Sequence, residues 1–292
     1  MSYETIVIER RGHTACIRLD RPEVLNAIND EMIAEINQVA AELEADPDVW
    51  TIILTGTGRA LCSGADVNKA GDEEKGNYTS GLDPQGEALL GSTRQWNAPQ
   101  EATLPYLEMT KPLICAVNGI CAGAGLDLVT TSDIVIASDD STFFDPHVSI
   151  GVVSGREALR LARVLPLNIT MRLALMGKYE RLSVQRAYDL GLVSEIVARD
   201  ALMDRAWEIA DIVNRNAPLA VRGTRLAIRK TLSLPTYEAE LLAENYRMKV
   251  AVTTTPRRVP ARSSRSATPT GRFAKAGRRS RSPQHRTRAA WR

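Results

Sequence analysis

No run of apolar residues in this chain comes near the roughly 18 that a membrane-crossing helix needs, and no membrane partner is expected. The amino terminus, Met1-Ser2-Tyr3-Glu4, has neither a basic start nor an apolar signal region, so a cytoplasmic location is expected. Aromatic residues are only 5% of the 292 positions. Histidine occurs only at 13, 147 and 285, which leaves few imidazoles for metal binding or proton transfer. Cysteine is equally sparse. Cys16, Cys62, Cys115 and Cys121 form no Cys-x-x-Cys pair and lie among apolar or small residues, a pattern of buried free thiols rather than disulfides or metal ligands. The chain also lacks a phosphate loop of the Gly-x-x-x-x-Gly-Lys type and any metal-ligand spacing, so no metal site is expected. The 44% of hydrophobic residues that remain can bury one substantial core.

The net charge of +2 conceals two opposed pieces. Twelve of the 37 Lys and Arg fall between Thr253 and Arg292, where there is no Asp or Glu; the other 25 face 35 acidic residues, giving the body about −10. A tail of Ser, Pro, Arg and Thr lacks the apolar periodicity to fold alone and reads as disordered. One function for it is a nucleic-acid arm, since arginine-rich segments bind phosphate by counterion release.

The most informative stretch is Asn118-Gly119-Ile120-Cys121-Ala122-Gly123-Ala124-Gly125-Leu126-Asp127. Gly and Ala remove side chains that would block close approach. A helix opening there presents N–H groups without internal partners, which attract negative charge. That describes half of an oxyanion hole. Upstream, the apolar run Trp50 to Leu54 enters a second small-residue turn, Thr55-Gly56-Thr57-Gly58-Arg59-Ala60-Leu61-Cys62-Ser63-Gly64-Ala65-Asp66. Two convergent N–H donors on an enolate oxygen supply about 3 to 4 kcal/mol each.

Periodicity organises the rest. Thr5 to Arg10 and Thr14 to Leu19 alternate in polarity around Gly12, predicting a hairpin. Asn29 to Leu43 has apolar residues at helical spacing, with Asn29 or Asp30 as the cap. Val49 to Leu54 reads as a buried strand, and the alternation of strands with helix repeats from Pro112, implying parallel crossover units. The glycine-rich stretch from Asn68 to Pro99 reads as a lid or binding loop in which Tyr78 and Trp96 could line a pocket. Ser154 is placed to cap a helix running through Leu165. From Asp200 to Val252 the pattern is helical.

With Asp20-Arg21-Pro22-Glu23-Val24-Leu25-Asn26-Ala27 before them, the two small-residue segments resemble the enoyl-CoA hydratase/isomerase (crotonase) family over about Tyr3 to Val252. The resemblance implies an α/β fold, a crotonase-like spiral of ββα repeats with a helical C-terminal region. Residues 1–195 would form the core with the oxyanion hole, 196–252 a helical oligomerisation region and 253–292 the basic tail. It further implies that a thioester oxygen of an acyl-CoA sits between the amides of Ala65 and Ala124. Glu23, Val24 and Ala27 would form one wall of the CoA site, with Ser63, Ala65, Asp66 and Val67 on the other. CoA would enter as part of the substrate, with no prosthetic group, and the assembly would be a homotrimer or a dimer of trimers.

Two glutamates act in hydratase-like members, one after the glycine run and one after a later proline. This chain has Asp127 at the first position and His147, in Thr142-Phe143-Phe144-Asp145-Pro146-His147, at the second. Asp is about 1.5 Å shorter than Glu, a large difference for a geometry held within about 0.5 Å. Imidazole, titrating near pH 6.5, still supplies proton chemistry. Asp127 as a helix-start charge and Asp145 as a turn residue are the plainer readings of those two carboxylates, with Asp145 as an orienter of the His147 imidazole the alternative.

The expected function is enolate chemistry on an acyl-CoA, as an enoyl-CoA hydratase or isomerase with an Asp127/His147 acid–base pair. Alternatives are a hydrolase of carbon–carbon bonds or a decarboxylase of a β-dicarbonyl substrate, and a non-catalytic acyl-CoA or nucleic-acid binding protein. For the tail, a shifted reading frame is preferred to a nucleic-acid arm. Codon freedom lets Thr253 to Arg272, read one nucleotide earlier, encode Asp-Asp-Asp-Ala-Glu-Glu-Gly-Pro-Gly-Ala-Phe-Val-Glu-Lys-Arg-Asp-Pro-Asn-Trp-Gln, which resembles the usual end of a crotonase.

Overall fold

Alternating polarity on both sides of Gly12 becomes an antiparallel hairpin of β1 (Ile6–Arg11) and β2 (Thr14–Leu19), pairing Ile8 with Ile17. The structure is a computed structural model describing residues 3–66 and 109–253. Val67, the stretch with Tyr78 and Trp96, and the tail from residue 254 lie outside the described residues. Helix α1 (Asp30–Ala45) starts where expected, because the Asn29 side chain accepts a hydrogen bond from Met32 N at 3.0 Å. Its buried face is Met32, Ile36, Val39, Ala40 and Leu43.

Strand β3 (Thr51–Gly56) begins two residues later than its apolar pattern suggests. Trp50 is used otherwise: its backbone N bonds His13 O, and its ring stacks on His13 with centroids 3.6 Å apart. The chain then repeats one unit. Strands β4 (Ala60–Cys62), β5 (Leu113–Val117) and β6 (Ile120–Ala122) lead into helix α2 (Ala124–Thr131). Strands β7 (Ile134–Ser138) and β8 (Thr142–Phe144) lead into α3 (Arg156–Leu161) and α4 (Leu167–Met176). After β9 (Leu182–Ser183), α5 (Val184–Asp189) and β10 (Glu195–Val197) come α6 (Leu202–Asn214), α7 (Pro218–Thr231) and α8 (Thr236–Thr253).

Each pair β3–β4, β5–β6 and β7–β8 sends its first strand into one sheet and its second into another. The larger sheet has the order β1-β2-β3-β5-β7-β10, parallel beyond the β1–β2 hairpin; the smaller has the order β4-β6-β8-β9. Repeating the step produces a spiral of ββα units. Strands buried on both faces read as continuous apolar runs, which is why Ile52, Ile53, Leu54 and Leu113 to Val117 show no alternation. One face of the large sheet, with Ile52, Leu54, Cys115 and Val117, joins α1 and α2 in the main core. The other, with Cys16, Ile53, Ile114 and Ile136, is covered by Leu202, Ala206, Trp207 and Ala210 of α6.

All four cysteines are buried free thiols. Burial pushes Cys16, Cys62 and Cys115 up to about 12, which keeps them protonated and unreactive at neutral pH. Among the described residues no helix is long and apolar enough to cross a membrane.

Candidate active site

The small-residue turns meet at two glycines. Gly64 and Gly123 adopt φ of +114° and +51°, conformations that side-chain-bearing residues rarely take. A Cβ placed on Gly123 would lie 3.4 Å from Gly64 Cα, so the two main chains touch. The next residue after each is a proposed donor.

Around Ala65 the backbone alternates. Gly64 O accepts from Ile28 N at 2.8 Å and Asp66 N donates to Ile28 O at 2.8 Å, forming a parallel bridge between Ile28 and Ala65. Successive amides of extended chain face opposite ways, so Ala65 N–H is turned away from Ile28. Ala124 is the first residue of α2, and its N–H has no partner inside the helix. Gly123 N bonds Phe144 O at 3.3 Å, which ties the start of α2 to β8.

The Asp20–Ala27 segment locks the first turn from behind. Leu25 and Asn26 both have left-handed backbone, with φ of 55° and 56°, a strain held in place by bonds around a fully buried Asn26. Its side chain accepts from Arg21 N at 2.9 Å and donates to Thr57 O at 3.0 Å and Ala60 O at 2.8 Å. Ser63 Oγ donates to Val24 O at 3.1 Å, and Arg21 bridges Ala27 O at 2.6 Å and Asp66 at 2.8 Å. Val24, Ala27, Ser63, Ala65 and Asp66 are therefore brought together, with Glu23 exposed in the same turn.

The second half of the site is built from charged side chains. His147 opens the 3-10 turn His147–Ile150 after β8, and its Nδ1 lies 2.5 Å from Asp145 Oδ1. Asp145, fully buried, also accepts from Ser154 Oγ. Ser154 was expected to cap a helix; the cap position of α3 is Gly155, and the hydroxyl goes to the buried carboxylate, the stronger acceptor. Of the two sequence readings of Asp145, turn residue and orienter of the imidazole, the second describes its contact with the His147 ring, while the His147 backbone N also donates to it. Burial pushes Asp145 up, but the bonds from His147 and Ser154 outweigh it and leave the carboxyl below its usual range. The hydrogen bond to Asp145 raises His147 above an ordinary histidine, and nearby Glu157 and Asp127 add to this.

Asp127 was expected to share the proton chemistry. It is 1% exposed, with Arg160 Nη1 3.0 Å from one oxygen and Arg156 Nε 2.9 Å from the other, the latter an ionic contact. Burial, then Glu157, pushes this carboxyl up, while the arginines pull it down. Sequence reading did not single out Arg156, Glu157 or Arg160 as site residues. Their only signal was charge on the first turns of a short helix, which reads as helix-end electrostatics. Glu157 Oε1 lies 3.9 Å from His147 Nε2. The imidazole reaches the glycine contact as well: a Cβ on Gly123 would be 3.7 Å from His147 Cε1. Two small-residue turns in contact, with the charged cluster around His147 beside them, make up the candidate site.

The model of the enoyl-CoA hydratase/isomerase family matches residues 9–258. The (E)-benzylidenesuccinyl-CoA hydratase of Thauera aromatica is 31% identical over 224 residues, which cover 76% of this chain and 81% of that protein. The peroxisomal Delta(3,5)-Delta(2,4)-dienoyl-CoA isomerase of Arabidopsis thaliana is 32% identical over 235 residues, covering 79% and 83%. The crystal structure of an enoyl-CoA hydratase/isomerase from Mycobacterium paratuberculosis has a TM-score of 0.74 and 56% identity, covering 87% of this chain and 92% of that one. The chain belongs to the enoyl-CoA hydratase/isomerase family, and its two-sheet spiral with helical C-terminal region is the crotonase fold. It is a hydratase- or isomerase-like enzyme of CoA thioesters.

Proposed function

We propose that this enzyme holds the thioester oxygen of an enoyl-CoA between the N–H groups of Ala65 and Ala124 and adds water reversibly across the 2,3 double bond through an enolate. The observation that supports the reading is the contact of Gly64 with Gly123, the residues directly before the two proposed donors. As the double bond is attacked, charge gathers on the thioester oxygen, and amides fixed in advance stabilise it without reorganising. Glu23, Val24 and Ala27 with Ser63 and Asp66 would form the CoA walls, and CoA would serve as the handle of the substrate.

His147 moves the proton at the α carbon. Its ring lies near Gly123, one residue before the proposed Ala124 donor, and the α carbon is bonded to the carbonyl carbon whose oxygen the hole would hold. Asp145 fixes the ring and favours its charged form. Asp127 acts on the site through Arg156 and Arg160, which it anchors. The Asp145–His147 pair would also serve cleavage of a β-dicarbonyl substrate.

The test is hydration of crotonyl-CoA, followed by loss of the conjugated-thioester absorbance, with His147→Gln beside the wild type. Removing a general acid lowers kcat/KM by about 10²- to 10⁴-fold. Wild-type protein that neither hydrates crotonyl-CoA nor exchanges the α protons of butyryl-CoA with solvent would overturn the reading.

We infer also that the chain forms a homotrimer or a dimer of trimers. Exposed Ile228, Leu232, Tyr237 and Leu241 on and between α7 and α8 supply apolar surface for such contacts, and sedimentation would read the mass. For residues 253–292 a shifted reading frame is the preferred account. Sequencing the gene across codon 253 decides it.

A further inference from the structure

The cluster beside the hole holds three carboxylates, two guanidiniums and one imidazole. Asp127 is matched by Arg156 and Arg160, and Asp145 by His147 and Ser154. Glu157 differs from both. Among the described residues its ionic neighbour is His147 Nε2, 3.9 Å away, the nitrogen that Asp145 leaves free. That gap is too long for a direct hydrogen bond and suits one oxygen placed between the two groups.

Accessibility separates the carboxylates further. The side chains of Asp127 and Asp145 are 1% and 0% exposed, whereas those of Glu157 and His147 keep 11% and 18%. Arg156 and Arg160 also reach solvent, but a guanidinium does not give up its proton in a protein. Two groups of the cluster thus combine access with the ability to exchange a proton. Glu157 also feels the charges of Arg160 and Asp127, but among the described residues the ion-pair contact it makes is with the imidazole, the arrangement a proton-sharing pair requires.

We propose that Glu157 is the second catalytic residue of this site, taking the proton of the attacking water while His147 serves the α carbon. The proposal rests on the enolate reading above and assigns the carboxylate of the pair to α3, away from Asp127. Water oxygen bonds to C3 and its proton passes to Glu157. The C2=C3 electron pair moves into the thioester held by Ala65 and Ala124, and the His147 imidazolium then donates its proton to C2. One C–O and one C–H bond form, and one water is consumed. After product leaves, a second water enters the gap and the proton on Glu157 returns through it to His147 Nε2, restoring both groups.

The experiment uses the full chain and two probes, hydration of crotonyl-CoA and exchange of the α protons of butyryl-CoA into deuterium oxide, read by NMR. Exchange needs the hole and His147 but no attacking water. Glu157→Gln is expected to lower hydration by at least about 10²-fold while exchange stays within about threefold, and His147→Gln to lose both. Glu157→Asp, which keeps the carboxylate but shortens its reach, should recover part of the hydration rate. Three results overturn the proposal: hydration by Glu157→Gln within threefold of wild type, equal loss of exchange and hydration in that variant, or wild-type exchange without any hydration. In each of them wild-type exchange leaves the enolate reading standing; only failure of both wild-type reactions removes that reading.

Discussion

The two halves of the site are made of different material. The proposed hole is main chain: Ala65 and Ala124 are positioned by the Ile28 bridge, the Asn26 bonds and the Gly64–Gly123 contact, and the reading uses no alanine side chain. The proton-transfer half is side chain. Asp127, Asp145, His147, Arg156, Glu157 and Arg160 come from α2, the turn after β8 and α3, and each is defined by what neutralises it. Main-chain donors are inseparable from the fold that places them, whereas an acid or base can be supplied from any element that reaches the same space. Charge stabilisation should therefore be brittle to backbone change and proton transfer graded with side-chain change.

Gly123→Val tests the brittle half and should have the largest effect. A β-branched residue at φ +51° is strained by about 1 to 3 kcal/mol, and with its Cβ already in contact with Gly64 and the His147 ring, the two methyl groups beyond it would have little room. Losing one aligned donor alone removes about 10²- to 10³-fold, so turnover of crotonyl-CoA should fall at least that far, with thermal unfolding reporting the strain. A variant that unfolds earlier yet turns over normally would show that the hole lies elsewhere.

Asp145→Asn tests the graded half. The bond to Asp145 is the largest reason His147 holds its proton above the ordinary histidine range. With a folded pKa raised above the unfolded value near 6.5, this histidine contributes stability that is complete below pH 6.5 and fades as pH rises through the folded pKa. Asparagine should flatten that pH dependence of unfolding and move the alkaline limb of hydration to lower pH. The rate should fall roughly 10- to 100-fold, short of the range for removing the general acid itself. An unmoved alkaline limb would assign it to another group.

The same division explains what the sequence reveals before any coordinates. Small residues ahead of a helix start, and a turn after a buried strand, are local patterns, and the two turns that meet at Gly64 and Gly123 could be read from them with the elements that carry them. Helix α1 and its Asn29 cap, the hairpin around Gly12 and the C-terminal helices were legible for the same reason. The charge cluster was not. Asp127 meets Arg156 and Arg160 across about thirty residues, and no spacing rule links them. Asp145 and Ser154 each had an adequate local role, turn and cap, which hid the bond they make to one another. A short-range pattern carries the backbone of this site, and long-range pairing of charges carries its side chains.

Ser154→Ala should have the smallest effect and gives the finest reading of that pairing. The hydroxyl donates to Asp145 Oδ2, the oxygen that His147 Nδ1 does not use. Removing it leaves a buried carboxylate oxygen short of one donor, a loss of about 1.5 to 3 kcal/mol for a hydrogen bond to a charged group, visible in denaturant unfolding. The sign on the histidine runs the other way. Asp145 without Ser154 attracts a proton more strongly, so the imidazolium it faces is stabilised and the His147 pKa should move further up, while crotonyl-CoA turnover below that pKa stays within about threefold. An imidazole titration followed by NMR reads this directly. A His147 pKa that falls or does not move in Ser154→Ala would mean that the carboxylate is not shared between serine and histidine, and that the turn after β8 is held together by something other than this chain of bonds.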